Sequence, residues 1–293
     1  MDDAMRVLIL NGPGVAAQAS AEGLTLSSIE SACAALCAAR GADMIFRQSV
    51  DADEALDWIS QRVGEFDALI VNPAGLDGAL HRLAQLNKPV VEAHIPNIFS
   101  DGASAIEPLR ETGAKIGFIS GLGLRSYMLA IESIARNPNT LGGASGGERK
   151  KVRVLNGPNL NLLGTREPAI YGSATLAQIA ERCAETGAAL GLEVEFLQSN
   201  YEGQLVDWIQ GAIGACDALV INAAAFTHYS IAIHDALRAY DGYKIELHIS
   251  NPHQREAFRR VSYVSSAVDA VVTGLGPDGY ELVTHTLADV LRR

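Results

Sequence analysis

Short apolar runs rich in β-branched residues alternate along this chain with longer segments whose apolar positions recur at helical spacing. In the first half, runs at 6–10, 44–48, 68–71, 90–93 and 115–119 predict strands, and the stretches 27–39 and 53–63 predict helices between them. In the second half, strands are expected at 152–155, 193–198, 218–221, 244–248 and 270–273, with helices near 175–190, 203–213, 231–240 and 280–291. Five strands alternating with helices imply an α/β fold in each half, a five-stranded parallel doubly wound sheet, because a helical crossover returns the chain to start the next strand in the same direction. Ligands of such sheets bind at the carboxyl ends of the strands.

The halves also share local sequence. Asn11-Gly12-Pro13 answers to Asn156-Gly157-Pro158, Gln48-Ser49 to Gln198-Ser199, Trp58 to Trp208, and Asn72 to Asn222. Further on, Glu92 and His94 answer to Glu246 and His248, and Gly121-Leu122-Gly123 to Gly274-Leu275-Gly276. The chain therefore reads as a tandem of two related domains, 1–138 and 151–293. The span 139–150 between them is rich in glycine and polar residues without apolar periodicity, which predicts a flexible linker.

Composition narrows the class. A length of 293 residues suits two compact domains, and 48% hydrophobic residues suffice for two cores. The net charge of -11 argues against nucleic-acid and anionic-membrane partners, while leaving room for a locally positive pocket. Cys33, Cys37, Cys183 and Cys216 form no CxxC pair and no cluster with histidine, as expected of reduced thiols in the cytoplasm. Neither a signal peptide nor a run of membrane-spanning length is visible, so a cytoplasmic protein is expected.

In the second half every strand is followed by a polar cluster. The stretch from Asn156 to Gly172 is too polar and glycine-rich for a core element and reads as a functional loop, with a sharp turn at Asn156-Gly157-Pro158 and a hinge at Gly164. It carries Arg166 and Tyr171, five residues apart. A guanidinium folded back beside the phenol would lower its pKa and make a base of it; in the plainer reading, Tyr171 staples the loop and Arg166 pairs with Glu167. Glu246 and His248 share one face of their strand, an expensive placement in an apolar sheet unless the pair is used; in the plainer reading this is a strand end with a hydrogen-bonded histidine. Arg255, Arg259 and Arg260 read as a solvated basic helix face.

Together with the clusters at Gln198–Gly203, Asn222–His228, Glu246–Asn251 and Gly274–Gly276, this loop resembles the type II 3-dehydroquinate dehydratases over residues 151–290. The resemblance implies flavodoxin-like domains and a lyase that dehydrates 3-dehydroquinate through an enolate. It makes Tyr171 the base, Arg166 the group that keeps it ionised, Asn159 the holder of a water at the enolate oxygen, and His248 the general acid oriented by Glu246. The substrate carboxylate would meet backbone N–H groups of Ile249 and Ser250 with help from Asn222, at the opening of the next helix; ring hydroxyls would meet His228 and Arg259. Asp235 matches a position that reaches into a neighbouring subunit's site. Ala224 and Tyr229 depart from the family's usual glycine and threonine, which leaves a related dehydratase of another cyclic hydroxy-ketone open.

No cofactor is implied: there is no metal-ligand spacing and no dinucleotide fingerprint, and Lys151 and Lys244 are poorly placed for an imine. The first copy reads as degenerate and non-catalytic. Its segment 14–25, read as a shortened loop, has neither arginine nor tyrosine; Gly14 stands for Asn159, Asp77-Gly78 for Thr227-His228, and Pro96 for Ser250. The resembled family forms trimers packed into dodecamers, so a homo-oligomer is expected, with six tandem chains imitating twelve subunits. The competing reading from another class is a non-catalytic sensor or scaffold that binds a small carboxylate.

Overall fold

The computed structural model describes residues 4–49, 51–76, 83, 86–100, 108, 116–135, 149–165 and 172–292. The chain divides into two compact units, one of Met1–Ile98 with Ser104–Asn137, the other of Phe99–Ala103 with Pro138–Arg293. The span expected to be a linker lies outside the described residues up to 148, and a strand already begins at Lys150.

In the first unit, β1 (Met5–Asn11), α1 (Val15–Ala21), α2 (Leu26–Ala39), β2 (Ala42–Gln48), α3 (Ala52–Gln61), β3 (Ala68–Asn72), β4 (Val90–His94), β5 (Ile116–Ser120) and α4 (Arg125–Ala135) follow in order. The strands lie in the order 2-1-3-4-5 and pair in parallel throughout. The second unit repeats this with β6 (Lys150–Asn156), α5 (Leu176–Ala189), β7 (Leu192–Gln198), α6 (Glu202–Gln210), β8 (Ala218–Asn222), α7 (Ile231–Ala239), β9 (Tyr243–His248), β10 (Ala270–Thr273) and α8 (Asp278–Val290). Its strand order 7-6-8-9-10 is the same topology, again parallel. Strands β3, β4 and β8 are buried at every position, which is why they read as unbroken apolar runs and not as alternation.

Local chemistry repeats with the topology. Thr25 and Ser28 cap α2 reciprocally, as Thr175 and Gln178 cap α5. The amides of Gly12 and Gly157 donate to the carbonyls of Asn72 and Asn222, each at 2.8 Å. A Cβ at Gly157 would lie 2.3 Å from the Ala223 carbonyl oxygen, and one at Gly12 would lie 2.4 Å from that of Ala74. Only glycine permits this approach of one strand's exit loop to the next, and that is the physical content of the shared Asn-Gly-Pro.

Two expectations are corrected. Residues expected to form a loop in 14–25 instead contain α1, because the alanine-rich Val15–Ala21 favours helix and buries Val15 and Ala19 on one face. The basic helix face expected at Arg255, Arg259 and Arg260 does not exist as a helix: the segment forms two single 3-10 turns, Pro252–Gln254 and Ala257–Arg259, the first opened by Asn251 and Pro252. Helix α4, with Tyr127, Ala130, Ile131 and Ile134 buried, was not among the predicted elements.

The four cysteines are free, and burial pushes the Cys33 thiol up to about 12 and the Cys37 thiol to about 11. No helix among the described residues is long and apolar enough to cross a membrane.

Candidate active site

The carboxyl ends of β6, β8 and β9 converge on a cavity of about 150 Å³ lined by residues of all three strand exits. It lies where β6 stands between β7 and β8, the point at which the chain reverses its direction of winding and loops diverge to leave a crevice.

The β6 exit places Asn159 in the left-handed region at φ 66°, tolerable for asparagine, and its amide donates to Asn200 Oδ1 at 2.9 Å. The Gln198–Asn200 cluster thus anchors the backbone of Asn159, whose residue lines the cavity. The β8 exit supplies Asn222. Its Nδ2 donates to the Tyr280 hydroxyl at 2.8 Å, and that hydroxyl donates to Asn156 Oδ1 at 2.6 Å. The tyrosine of α8 therefore bridges the ends of β6 and β8, and burial pushes its phenol far up, so it remains a neutral donor. Two residues on, Ala224 sits at φ 51°, a conformation that favours the glycine expected there.

The β9 end carries the acidic and basic pair. Glu246 is fully buried, and its Oε1 lies 2.7 Å from His248 Nε2. Burial would raise the Glu246 pKa, yet the charge and hydrogen bond of His248, with hydroxyl donors from Ser265 and Thr227, outweigh it and hold the carboxyl at about 2. An ionised carboxylate only accepts, so the Nε2–H of His248 donates to it and Nδ1 is left for the cavity. The amides of Gly274 and Gly276, both at positive φ, donate to the carbonyls of His248 and Ile249 and hold this strand end in place.

His228 Nδ1 is 2.8 Å from the Val261 carbonyl, which makes Nδ1 the protonated nitrogen and turns Nε2 into an acceptor. Its pKa is lowered, chiefly by burial, with His248 and Arg259 adding to the effect. Ile249, Ser250 and Arg259 line the same cavity. The expected helix opening beside Ile249 and Ser250 is instead the three-residue 3-10 turn, so a helix dipole adds nothing to anion binding there. Positive charge comes from arginines. Arg259 Nε is 3.0 Å and Arg255 Nε 3.4 Å from Glu256 Oε2, and both residues line the cavity. Arg255 was missed in the sequence, where it counted as part of a solvated face; its position seven residues beyond His248 on a strand exit was the available signal.

Asn159, Asn222, His228, His248, Ile249, Ser250 and Arg259 are thus brought together, with Glu246 directly behind His248. Asp235 is not: it is exposed on α7, away from the cavity of its own chain. Arg166 and Tyr171 lie outside the described residues. Among the described residues no cluster of His, Cys, Asp or Glu could hold a metal ion.

The family model for dehydroquinase class II matches the chain twice, at residues 5–135 and 150–288. The chain belongs to the class II dehydroquinases. It is similar to the 3-dehydroquinate dehydratase 2 of Pseudomonas putida, at 54% identity over 141 residues that make up 48% of this chain and 95% of that protein. The 3-dehydroquinate dehydratase of Bartonella henselae is 56% identical over 142 residues, 48% of this chain and 96% of its own. The solved type II dehydroquinase from Propionibacterium acnes is 46% identical, with a TM-score of 0.48, covering 49% of this chain and 99% of that one. Each relative spans about half of this dehydroquinase, in which the family pattern occurs in tandem.

The first unit of the dehydroquinase retains the frame of the site. Tyr127 bridges Asn11 and Asn72 as Tyr280 bridges Asn156 and Asn222, and His94 Nε2 is 2.6 Å from Glu92 Oε1. His94, however, is 0% exposed where His248 is 8%. Its Nδ1, the nitrogen that would face a ligand, is buried without a hydrogen-bond partner. From α1, Gln18 reaches Asn72 Nδ2 at 3.3 Å while Val15 and Ala19 pack inward. The Asp77-Gly78 replacement lies outside the described residues.

Proposed function

We propose that this dehydroquinase converts 3-dehydroquinate to 3-dehydroshikimate at the pocket of its second unit. The observation that carries the reading is the buried Glu246–His248 pair, with the histidine opening on a cavity that Arg255 and Arg259 make positive. Tyr171, ionised beside Arg166, takes the C2 proton, and the electron pair moves into the C3 carbonyl to give an enolate. Asn159 holds a water against the enolate oxygen. Collapse of the enolate expels the C1 hydroxyl, which takes the Nδ1 proton of a doubly protonated His248 and leaves as water, with the histidine left as its Nε2–H tautomer; the tyrosine then returns its proton to solvent and His248 regains one at Nδ1. Backbone N–H groups at Ile249 and Ser250 and the arginines seat the carboxylate, and neutral His228 accepts from a ring hydroxyl.

In the same reading residues 151–293 are the catalytic domain and 1–138 a non-catalytic one, both flavodoxin-like, with a doubly wound five-stranded sheet each. The chains form a homo-oligomer, six of them imitating a dodecamer of single domains, in which Asp235 serves a neighbouring site. Exposed Tyr229, Ile231, Phe258 and Val261 give the second unit an apolar surface fit for such contacts. The test is the ultraviolet absorbance of the conjugated enone formed from 3-dehydroquinate. Turnover that is abolished by Tyr171→Phe in a folded protein supports the lyase and its base; a wild type that binds substrate without turnover refutes it. A stable monomer by mass measurement would remove the oligomer.

A further inference from the structure

Glu246 is held by more than its histidine. Thr227, from the turn after β8, donates to Oε1; Ser265, from the 3-10 turn Ser265–Ala267 before β10, donates to Oε2. Ser262 lies between them, 2.9 Å from Oε1, 3.2 Å from Oε2 and 2.8 Å from the Thr227 hydroxyl. Its single proton serves either the carboxylate or Thr227, so at least two hydroxyl protons always point at the carboxylate. Oε1 is shared with His248 Nε2, whereas Ser265 is the closest donor to Oε2. In the sheet the neighbours of Glu246 are Ile221 and Val271, both apolar, and the charges that act on it include His248 and, at the cavity edge, His228.

We propose that Ser265 and Thr227, supported by Ser262, are positioning residues for the general acid. They fix the carboxylate as an anion in one orientation, which fixes His248 as the Nε2–H tautomer and turns Nδ1 to the cavity. A buried carboxylate deprived of such donors becomes protonated more readily, and a protonated Glu246 could donate to Nε2 and flip the tautomer. The proposal rests on the dehydratase reading for its consequence in turnover, but not for its structural content.

The test uses the full chain with nitrogen-15-labelled histidine, following the His248 ring nitrogens by NMR through a pH titration beside the pH profile of kcat. Wild type is expected to show a single Nε2–H tautomer in its neutral form. In Ser265→Ala and Thr227→Val the expected result is a mixture of tautomers and an acid limb of kcat moved to higher pH, with kcat near neutrality down about tenfold and KM changed less than about twofold. Ser265→Thr, which keeps the hydroxyl, should restore both readouts. Should Ser265→Ala fail to fold, Ser265→Cys, a weak donor of similar shape, carries the same measurement. An unchanged tautomer and an unmoved acid limb in folded variants overturn the proposal. A tautomer change in a chain that never turns over 3-dehydroquinate would instead leave the positioning role standing and sink the dehydratase reading.

Discussion

The two glutamate–histidine pairs of this chain differ less in their own geometry than in what surrounds them. Glu92 and His94 meet at 2.6 Å, Glu246 and His248 at 2.7 Å, each at the end of the fourth strand of its unit. Beside the second pair is a cavity and two arginines; in the first, the histidine has no exposure and its Nδ1 is buried without a hydrogen-bond partner. What separates the two pairs is thus access and not the residues themselves. The sheet and its Asn–Tyr–Asn bridge persist where the histidine is closed off, because they hold the fold.

The comparison can be broken most directly by removing each histidine. His248→Ala is expected to lower kcat by about 10²- to 10⁴-fold, as loss of a general acid does, and His94→Ala to leave kcat within about twofold, both read by enone absorbance. Loss of turnover in His94→Ala in a folded protein would make the first unit a participant.

Next in size is the acid response of Glu246. Its folded pKa of about 2 lies below the ordinary value of 4.5, so it contributes stability above the unfolded pKa that is lost as pH falls from about 4.5 to about 2. The shift corresponds to roughly 3 kcal/mol. Glu246→Gln should therefore be less stable than wild type at pH 6 and flatten the pH dependence of denaturant midpoints in that window; an unchanged slope would contradict the ionised state.

The paired glycines sharpen the contrast between frame and function. Gly12→Ala and Gly157→Ala each push a Cβ into a carbonyl oxygen and should each cost about 1–3 kcal/mol in chemical denaturation. Only the second should also lower turnover, because it displaces the exit loop that carries Asn159. The smallest effect is expected at Ala224, where glycine relieves the positive φ and should raise stability by about 0.5–1 kcal/mol.

Strand positions were legible because buried parallel strands are apolar runs with polar ends, and nearly all boundaries fell within two residues of those predicted. Members of the site that follow a strand in sequence, such as Asn159, Asn222 and Ile249, were legible for the same reason. Tyr280 was placed in a helix, but nothing local marks it as the bridge between two strand ends more than 50 residues away. Ser262 and Ser265 stay invisible in the sequence because serine is common and their target lies 16 and 19 residues earlier. Arg255 was misjudged because the segment after β9 was given helical periodicity, whereas Asn251 and Pro252 begin a short turn that directs it inward. Helix α1 was overlooked because its burial needs only a valine and an alanine, too weak a periodic signal to separate from a loop.

The tyrosine bridge also sets an order of events during synthesis. Asn156 must wait 124 residues for its Tyr280 partner, and Asn11 waits 116 for Tyr127. The first unit can accordingly close its bridge before β6 has left the ribosome, whereas the ends of β6 and β8 have no bridge until α8 emerges. During translation, the sealed copy is complete while the cavity of the second still lacks the strut between its walls.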